Sequence, residues 1–163
     1  MADIIKIVNA DYSRIDAMQN LIKYIITDKE RKPLLCSYYG GINIDPLNAF
    51  NEMMYVKKYF RKTAGRLVRH FIVSPEADYF MPQELYYLAY RISLYYSNKY
   101  QIMFSVHENT NHLHIHFVIN TVSFLDGKMF SEGPADHYRF RQYVLNLIDE
   151  LDRDVAYQMA MGD

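Results

Sequence analysis

An α+β fold is what this 163-residue sequence predicts: a central antiparallel or mixed sheet of about five strands with helices packed on it. Two observations carry that expectation. Short β-branched or alternating segments recur along the chain, and segments with apolar residues at helical spacing separate them. Half the residues are hydrophobic and 23% are charged, values of an ordinary globular domain that exclude wholesale disorder. The length suits one domain, residues 1–163.

Each element has its own signal. Ile4 to Val8 is short and β-branched, a strand. Asp11 or Ser13 is placed to cap a helix through Met18, Leu21, Ile22 and Ile25. Leu34 to Tyr39 reads as a second strand, ended by Gly40-Gly41. Asp45-Pro46 is a helix start, because an aspartate can cap and proline suits the first helical position. That helix carries Phe50, Met53, Met54 and Tyr59 and is expected to end near Thr63-Ala64-Gly65. Leu67 to Val73 is a third strand. Pro82 opens a helix through Leu85, Leu88, Ile92 and Leu94. Tyr100 to His107 and His112 to Asn120 are strands joined by the polar segment 108–111. Asp126-Gly127 marks a tight hairpin, and Tyr138 to Met159 is a long helical pattern.

Several function classes are excluded early. No run of 18 apolar residues exists, so no transmembrane helix is expected. The N-terminus lacks the features of a secretory signal. The single Cys36 cannot form an internal disulfide, which points to a reducing, cytoplasmic setting. Net charge is −1, yet Lys57, Lys58, Arg61, Lys62, Arg66 and Arg69 follow one another with no acidic residue between them. Such a stripe can bind phosphates, although a solvated helix face is its commoner fate. From Lys128 onward four basic residues face seven acidic ones, so the C-terminal helix should turn away from any polyanion.

Histidine gives the sharpest clue. His107, His112, His114 and His116 lie within ten positions. Side chains alternate along a strand, so His112, His114 and His116 share one face while Leu113, Ile115, Phe117 and Ile119 share the other. The apolar face should pack on helices and the histidine face should line an open surface. If the connection is a hairpin, His107 lies beside His112. Several neutral imidazoles with open coordination positions suit a catalytic divalent metal better than a closed structural site.

The segment His107-Glu108-Asn109-Thr110-Asn111-His112-Leu113-His114-Ile115-His116, continuing to Asn120 and then Ser123-Phe124 and Asp126-Gly127-Lys128, resembles the three-histidine motif of plasmid mobilisation relaxases in the HUH endonuclease superfamily. Leu21-Ile22-Lys23-Tyr24-Ile25 is similar to that family's N-terminal tyrosine motif, and Gly41 to Asp45 and His70 to Ser74 follow in its usual order. The resemblance implies His107, His114 and His116 as metal ligands. His112 becomes an accessory residue, beside a ligand or facing phosphate. Ser74 matches a serine that contacts DNA near the cut. Family members often carry aspartates where Asn109 and Asn111 stand, and such a carboxylate can orient a ligand imidazole. Here Glu108 is the nearby acid. The implied cofactor is a divalent cation, Mg²⁺ or Mn²⁺ first, with Zn²⁺ or Ni²⁺ as in vitro substitutes.

The implied chemistry is single-strand nicking at an origin of transfer. A tyrosine oxygen attacks phosphorus, leaving a 5′-phosphotyrosine and a 3′-hydroxyl that can later reverse the step. Among 16 tyrosines, family position selects Tyr24, with Tyr12, Tyr38 and Tyr39 as the fallbacks. The expected partners are single-stranded DNA and hairpin or duplex DNA at that origin, together with accessory mobilisation proteins and no membrane. With that resemblance the stripe Lys57, Lys58, Arg61, Lys62, Arg66 and Arg69 is expected to contact DNA phosphates, and Tyr55 and Tyr59 can stack on unpaired bases beside it. The length leaves no room for a further domain, so the chain reads as a minimal relaxase or as the nuclease part of a longer protein. Competing readings are a rolling-circle replication initiator of the same superfamily, a non-catalytic DNA-binding module, and a metal-storing or sensing protein. Initiators usually place the tyrosine after the histidines, the reverse of the order here.

Overall fold

The computed structural model describes residues 4–27, 38–108 and 112–162. Cys36, Asn109, Asn111 and most of the strand expected over Leu34–Tyr39 lie outside them. The elements are β1 (Ile5–Val8), α1 (Ile15–Ile25), β2 (Tyr39–Ile42), a 3₁₀ turn (Pro46–Asn48) running into α2 (Ala49–Tyr59), β3 (Val68–Val73), α3 (Pro82–Ser93), β4 (Ile102–His107), β5 (His114–Asn120) and α4 (Pro134–Met161). The strands form one sheet in the order β1-β3-β5-β4-β2. Every neighbouring pair is antiparallel, so the α+β expectation holds.

The two faces of the sheet build two cores. On one, Phe71, Val73, Phe104, Ile115, Phe117 and Ile119 pack against Leu85, Leu88 and Ile92 of α3 and Phe140, Val144 and Leu147 of α4. Phe71 and Phe117 stack with ring centroids 4.6 Å apart at its centre. On the other, Val68, Met103 and Val118 pack against Met18, Leu21, Ile22 and Ile25 of α1 and Ala49, Met53 and Met54 of α2. The histidine face is therefore not an open surface. Apolar residues share it with the histidines, and burying those residues draws α1 and α2 across it.

Local departures have local causes. The cap expected at Asp11 or Ser13 is absent: Arg14 precedes α1 without a capping side chain, and Asp11 instead accepts hydrogen bonds from Ser13. Gly40 and Gly41 lie inside β2 rather than ending a strand. A Cβ on Gly40 would stand 2.8 Å from the Phe104 ring, so the close approach of β2 to β4 needs glycine there. Asp45 does cap, accepting from the Leu47 amide at 3.0 Å. The helix after it ends at Tyr59, short of Thr63, where the chain turns through Arg61 at φ 58°. The Asp126-Gly127 turn is present, with Gly127 at φ 72°.

Lys57 overturns its assignment to a phosphate-binding stripe. Its side chain is 0% exposed. Its ammonium donates to the Leu67 carbonyl at 2.6 Å, Asn120 Oδ1 at 2.6 Å and Thr121 Oγ1 at 3.3 Å. Burial pulls its pKa down to about 7. The signal was present in the helix, because Ala49, Met53 and Lys57 recur at four-residue intervals along the buried side of α2. Arg69 also leaves the stripe. It points to the other face of the sheet, over the Phe130 ring at 5.0 Å and 3.7 Å from Glu132. Lys62 donates to the Gly127 carbonyl. Lys58, Arg61 and Arg66 remain exposed. We expect Lys57→Met to destabilise the fold by about 1–3 kcal/mol in urea unfolding, because buried acceptors lose their donor. Lys58→Met should stay within about 0.5 kcal/mol of the parent.

Candidate active site

The β4–β5 register builds the histidine cluster. His107 stands opposite His114, and Ser105 opposite His116. Facing residues of an antiparallel pair project to the same side, so three imidazoles converge at one end of the sheet. His107 pairs with His114 and not with His112, because β5 begins at His114. His112 is exposed and just outside the strand. One nitrogen from each of His107, His114 and His116 lies within 4.8 Å of the others. Two metal–nitrogen bonds of about 2.0–2.1 Å end to end span about 4.2 Å, so the cluster is on the scale of a shared cation.

The hydrogen bonds say which nitrogens are available. His107 Nε2–H donates to the Ile25 carbonyl at 2.7 Å, which leaves the Nδ1 lone pair free for a ligand. His114 Nδ1 is 3.4 Å from the His112 carbonyl. His116 Nδ1 is 2.9 Å from His70 Nε2, and its Nε2 is buried with no hydrogen-bond partner among the described residues. His116 is 3% exposed and His107 4%. An orphaned, buried imidazole nitrogen is costly unless something accepts its lone pair or proton, and a divalent cation fits that need. The donor set is all nitrogen, with the rest of any coordination shell left to water or phosphate oxygen.

Electrostatics favour the metal-binding protonation state. Burial lowers the pKa of His107 and of His114. Burial followed by repulsion from His107, His70 and His114 pushes His116 down to about 2, and burial and His107 hold His70 at about 4. At neutral pH all four imidazoles are neutral, the form in which histidine binds metal.

Tyr24 sits on the same site. It belongs to the last turn of α1, at the edge of the buried Leu21–Ile22–Ile25 stripe, and its ring is 46% exposed. Its ring centroid is 5.5 Å from those of both His107 and His116. Of the fallback tyrosines, Tyr12 is buried with its hydroxyl on His70, Tyr38 packs edge-on against Tyr86, and Tyr39 pairs with Ser105 in the sheet. Ser74 follows Val73, whose partner is Ile115, so it emerges at the sheet end that carries His114. Glu108 is exposed just past His107 and is not part of the metal-scale cluster. The exposed basic residues lie elsewhere. Thr121, next to Asn120, donates to the Arg66 carbonyl, and the six residue steps from His114 to Asn120 put that end about 20 Å from His114.

The comparison with known families agrees with this geometry. The model of the relaxase family, MobA/VirD2-like, nuclease domain, matches residues 24–152, about four fifths of the chain. The chain belongs to the relaxase family. A solved structure described as "Molecular Basis of Vancomycin Resistance Transfer in Staphylococcus aureus" superposes with a TM-score of 0.63 at 13% identity, covering 93% of this chain and 94% of that one. That likeness concerns the fold. No curated protein matches the sequence. Relaxases of this family are DNA-nicking endonucleases of mobilisation that act at the transfer origin and generally use a divalent metal.

Sequence reasoning placed His70 only within the segment His70 to Ser74, and missed its partnership with Tyr12. His70 pairs with Val118, two residues from His116, which makes His70 and His116 diagonal neighbours on one face. The signal needed was the β3–β5 register. Depressed histidine pKa values also set an acid sensitivity. The unfolded chain takes up protons at about 6.5 and the folded one resists. Stability should be intact above pH 6.5 and fall as the pH drops toward 4. Without added metal, His70 alone should account for about 2 kcal/mol between pH 6.5 and 5, and His70→Gln should make that part of the profile shallower in thermal melts while the other three histidines keep it sloping.

Proposed function

We propose that this relaxase domain is a metal-dependent, site- and strand-specific DNA nickase and strand transferase acting at an origin of transfer, with Tyr24 as nucleophile and His107, His114 and His116 as metal ligands. The observation that carries the reading is the placement of a half-exposed phenol against two members of a metal-scale histidine trio. A phenol with an ordinary pKa near 10 is a weak nucleophile at neutral pH and needs a primed electrophile. A divalent cation, when bound, polarises the scissile phosphate and offsets charge building on its oxygens. Tyr24 Oη forms a bond to phosphorus and releases its proton to solvent, which its exposure permits. The bond from phosphorus to the 3′-oxygen breaks, and that oxygen takes up a proton. The product is a 5′-phosphotyrosine and a free 3′-hydroxyl. Because one phosphoester replaces another, reversal needs no further energy source.

Residues 1–163 act in this reading as one nuclease domain working in the cytoplasm. Ser74 and His112 lie where they can meet phosphates beside the cut, and Glu108 flanks the ligand His107. Lys58, Arg61 and Arg66 serve as phosphate contacts about 20 Å from the cut, a reach of several nucleotides. Tyr55 and Tyr59, both widely exposed on α2, offer stacking faces beside them.

Incubation with a transfer-origin oligonucleotide and Mn²⁺ should yield a covalent DNA–protein adduct. Tyr24→Phe should abolish that adduct while changing DNA affinity less than about threefold, and EDTA should abolish it in the parent. Wild-type adduct levels in Tyr24→Phe would transfer the role to another tyrosine. A second experiment addresses the basic residues. Alanine at Lys58, Arg61 or Arg66 should each lower affinity and flatten the slope of log affinity against log salt by about 0.7–0.9. An unchanged slope at all three would move DNA to another surface.

A further inference from the structure

Behind the trio runs a chain of buried polar groups that no step of the nicking chemistry uses. Tyr12 Oη lies 2.9 Å from His70 Nδ1, and His70 Nε2 lies 2.9 Å from His116 Nδ1. Tyr12 is 7% exposed and His70 4%. Further contacts hold both: the Tyr12 carbonyl accepts from the Leu67 amide at 2.8 Å, and the His70 and His116 rings stack with centroids 5.2 Å apart. At the far end His116 Nε2 is buried, without a hydrogen-bond partner among the described residues, and within metal-sharing distance of His107 and His114.

Each neutral imidazole has one N–H and one lone pair, so such a chain has only two proton arrangements. In one, Tyr12 donates to His70 Nδ1 and His70 Nε2–H donates to His116 Nδ1. That leaves a proton on His116 Nε2, pointing into the cluster, where it would repel a cation. In the other, His116 Nδ1–H donates to His70 Nε2, and His70 Nδ1–H donates to Tyr12 Oη. That leaves the Nε2 lone pair of His116 directed at the cluster. Only the second arrangement can bind metal. The missing carboxylates at Asn109 and Asn111 make the question specific, because this sequence has no obvious anionic acceptor in the usual place to fix a ligand's tautomer.

We infer that His70, backed by Tyr12, is the positioning residue that selects the Nδ1–H tautomer of His116 and thereby prepares the trio for a divalent cation. The inference rests on the reading of His107, His114 and His116 as metal ligands. His70 touches neither DNA nor the reacting atoms in that reading; it acts through His116. Groups that orient a ligand imidazole typically matter 10–100-fold in metal affinity. Glutamine at position 70 can still accept from His116 Nδ1 through its amide oxygen, whereas alanine cannot.

Two readouts on the intact chain test this. Histidine ¹⁵N chemical shifts, read in long-range ¹H–¹⁵N spectra of the metal-free protein, should show His116 protonated at Nδ1 in the parent. In His70→Ala they should show Nε2–H or a mixture, with Tyr12→Phe between the two. Mn²⁺ affinity by calorimetry should fall 10–100-fold in His70→Ala and recover to within about threefold of the parent in His70→Gln, with thermal melts confirming that both are folded. An Nε2–H tautomer in the parent overturns the inference, as does folded His70→Ala with parental affinity, or His70→Gln as weak as His70→Ala. His116→Ala separates the two levels. If it binds Mn²⁺ as tightly as the parent, the ligand assignment itself fails, whereas its loss of binding beside an unaffected His70→Ala sinks only the role of His70.

Discussion

The antiparallel register of β4 against β5 sets His107 opposite His114, and the remaining geometry of the site follows from that pairing. A slip of one residue would turn His107 and His114 away from each other and move Ile115 and Phe117 out of the α3–α4 core. The register is held because both faces of the sheet are buried. Phe71, Phe104 and Phe117 lock one face, while Val68, Met103 and Val118 lock the other. The histidines are thus positioned by hydrophobic packing that they do not themselves supply.

The same packing sets their chemistry. Drawing α1 and α2 across the sheet removes water from imidazoles that would otherwise protonate near pH 6.5. Desolvation is the largest cause of every histidine shift in the cluster. Folding energy spent on keeping these rings neutral yields lone pairs at neutral pH. His116 is the extreme case, crowded by three other imidazoles and buried almost completely. Its Nε2 is buried and has no hydrogen-bond partner among the described residues.

Much of this was legible in the sequence, and the parts that were not share a cause. Periodicity located the helices and the strands flanking the histidines, since each depends on short-range pattern. Alternation along a strand put His112, His114 and His116 on one face, because it is a local rule, whereas His107, His114 and His116 were singled out by the resemblance to relaxases and not by spacing. What failed was non-local. The openness of the histidine face depended on Val68 and Met103, which reach it from other strands. Lys57 looked like a member of a charge run, but its stem falls on the buried stripe of α2 and its ammonium finds Asn120, 63 residues away. The role of His70 depended on the β3–β5 register, which no window of sequence contains. Gly40-Gly41 suggested the end of a strand, and only the approach of Phe104 to Gly40 shows that glycine serves close packing there.

The helix that carries Tyr24 is tied to the histidine trio by a hydrogen bond with mechanical consequences. His107 Nε2–H is held by the Ile25 carbonyl, one residue beyond Tyr24. The Tyr24 carbonyl in turn accepts from Thr27 through its amide and hydroxyl, at 3.3 and 3.1 Å. The end of α1 is therefore tied to the ring that it faces, and a shift of the helix would carry Tyr24 and rotate His107 together. At the other end of the sheet, Lys57 joins α2 to Leu67, Asn120 and Thr121, fixing the roof where no chemistry is proposed. Two buried polar anchors, one at each end of the sheet, therefore tie α1 and α2 to the strands beneath them, so that the reaction proposed above asks only the half-exposed tip of Tyr24 to move.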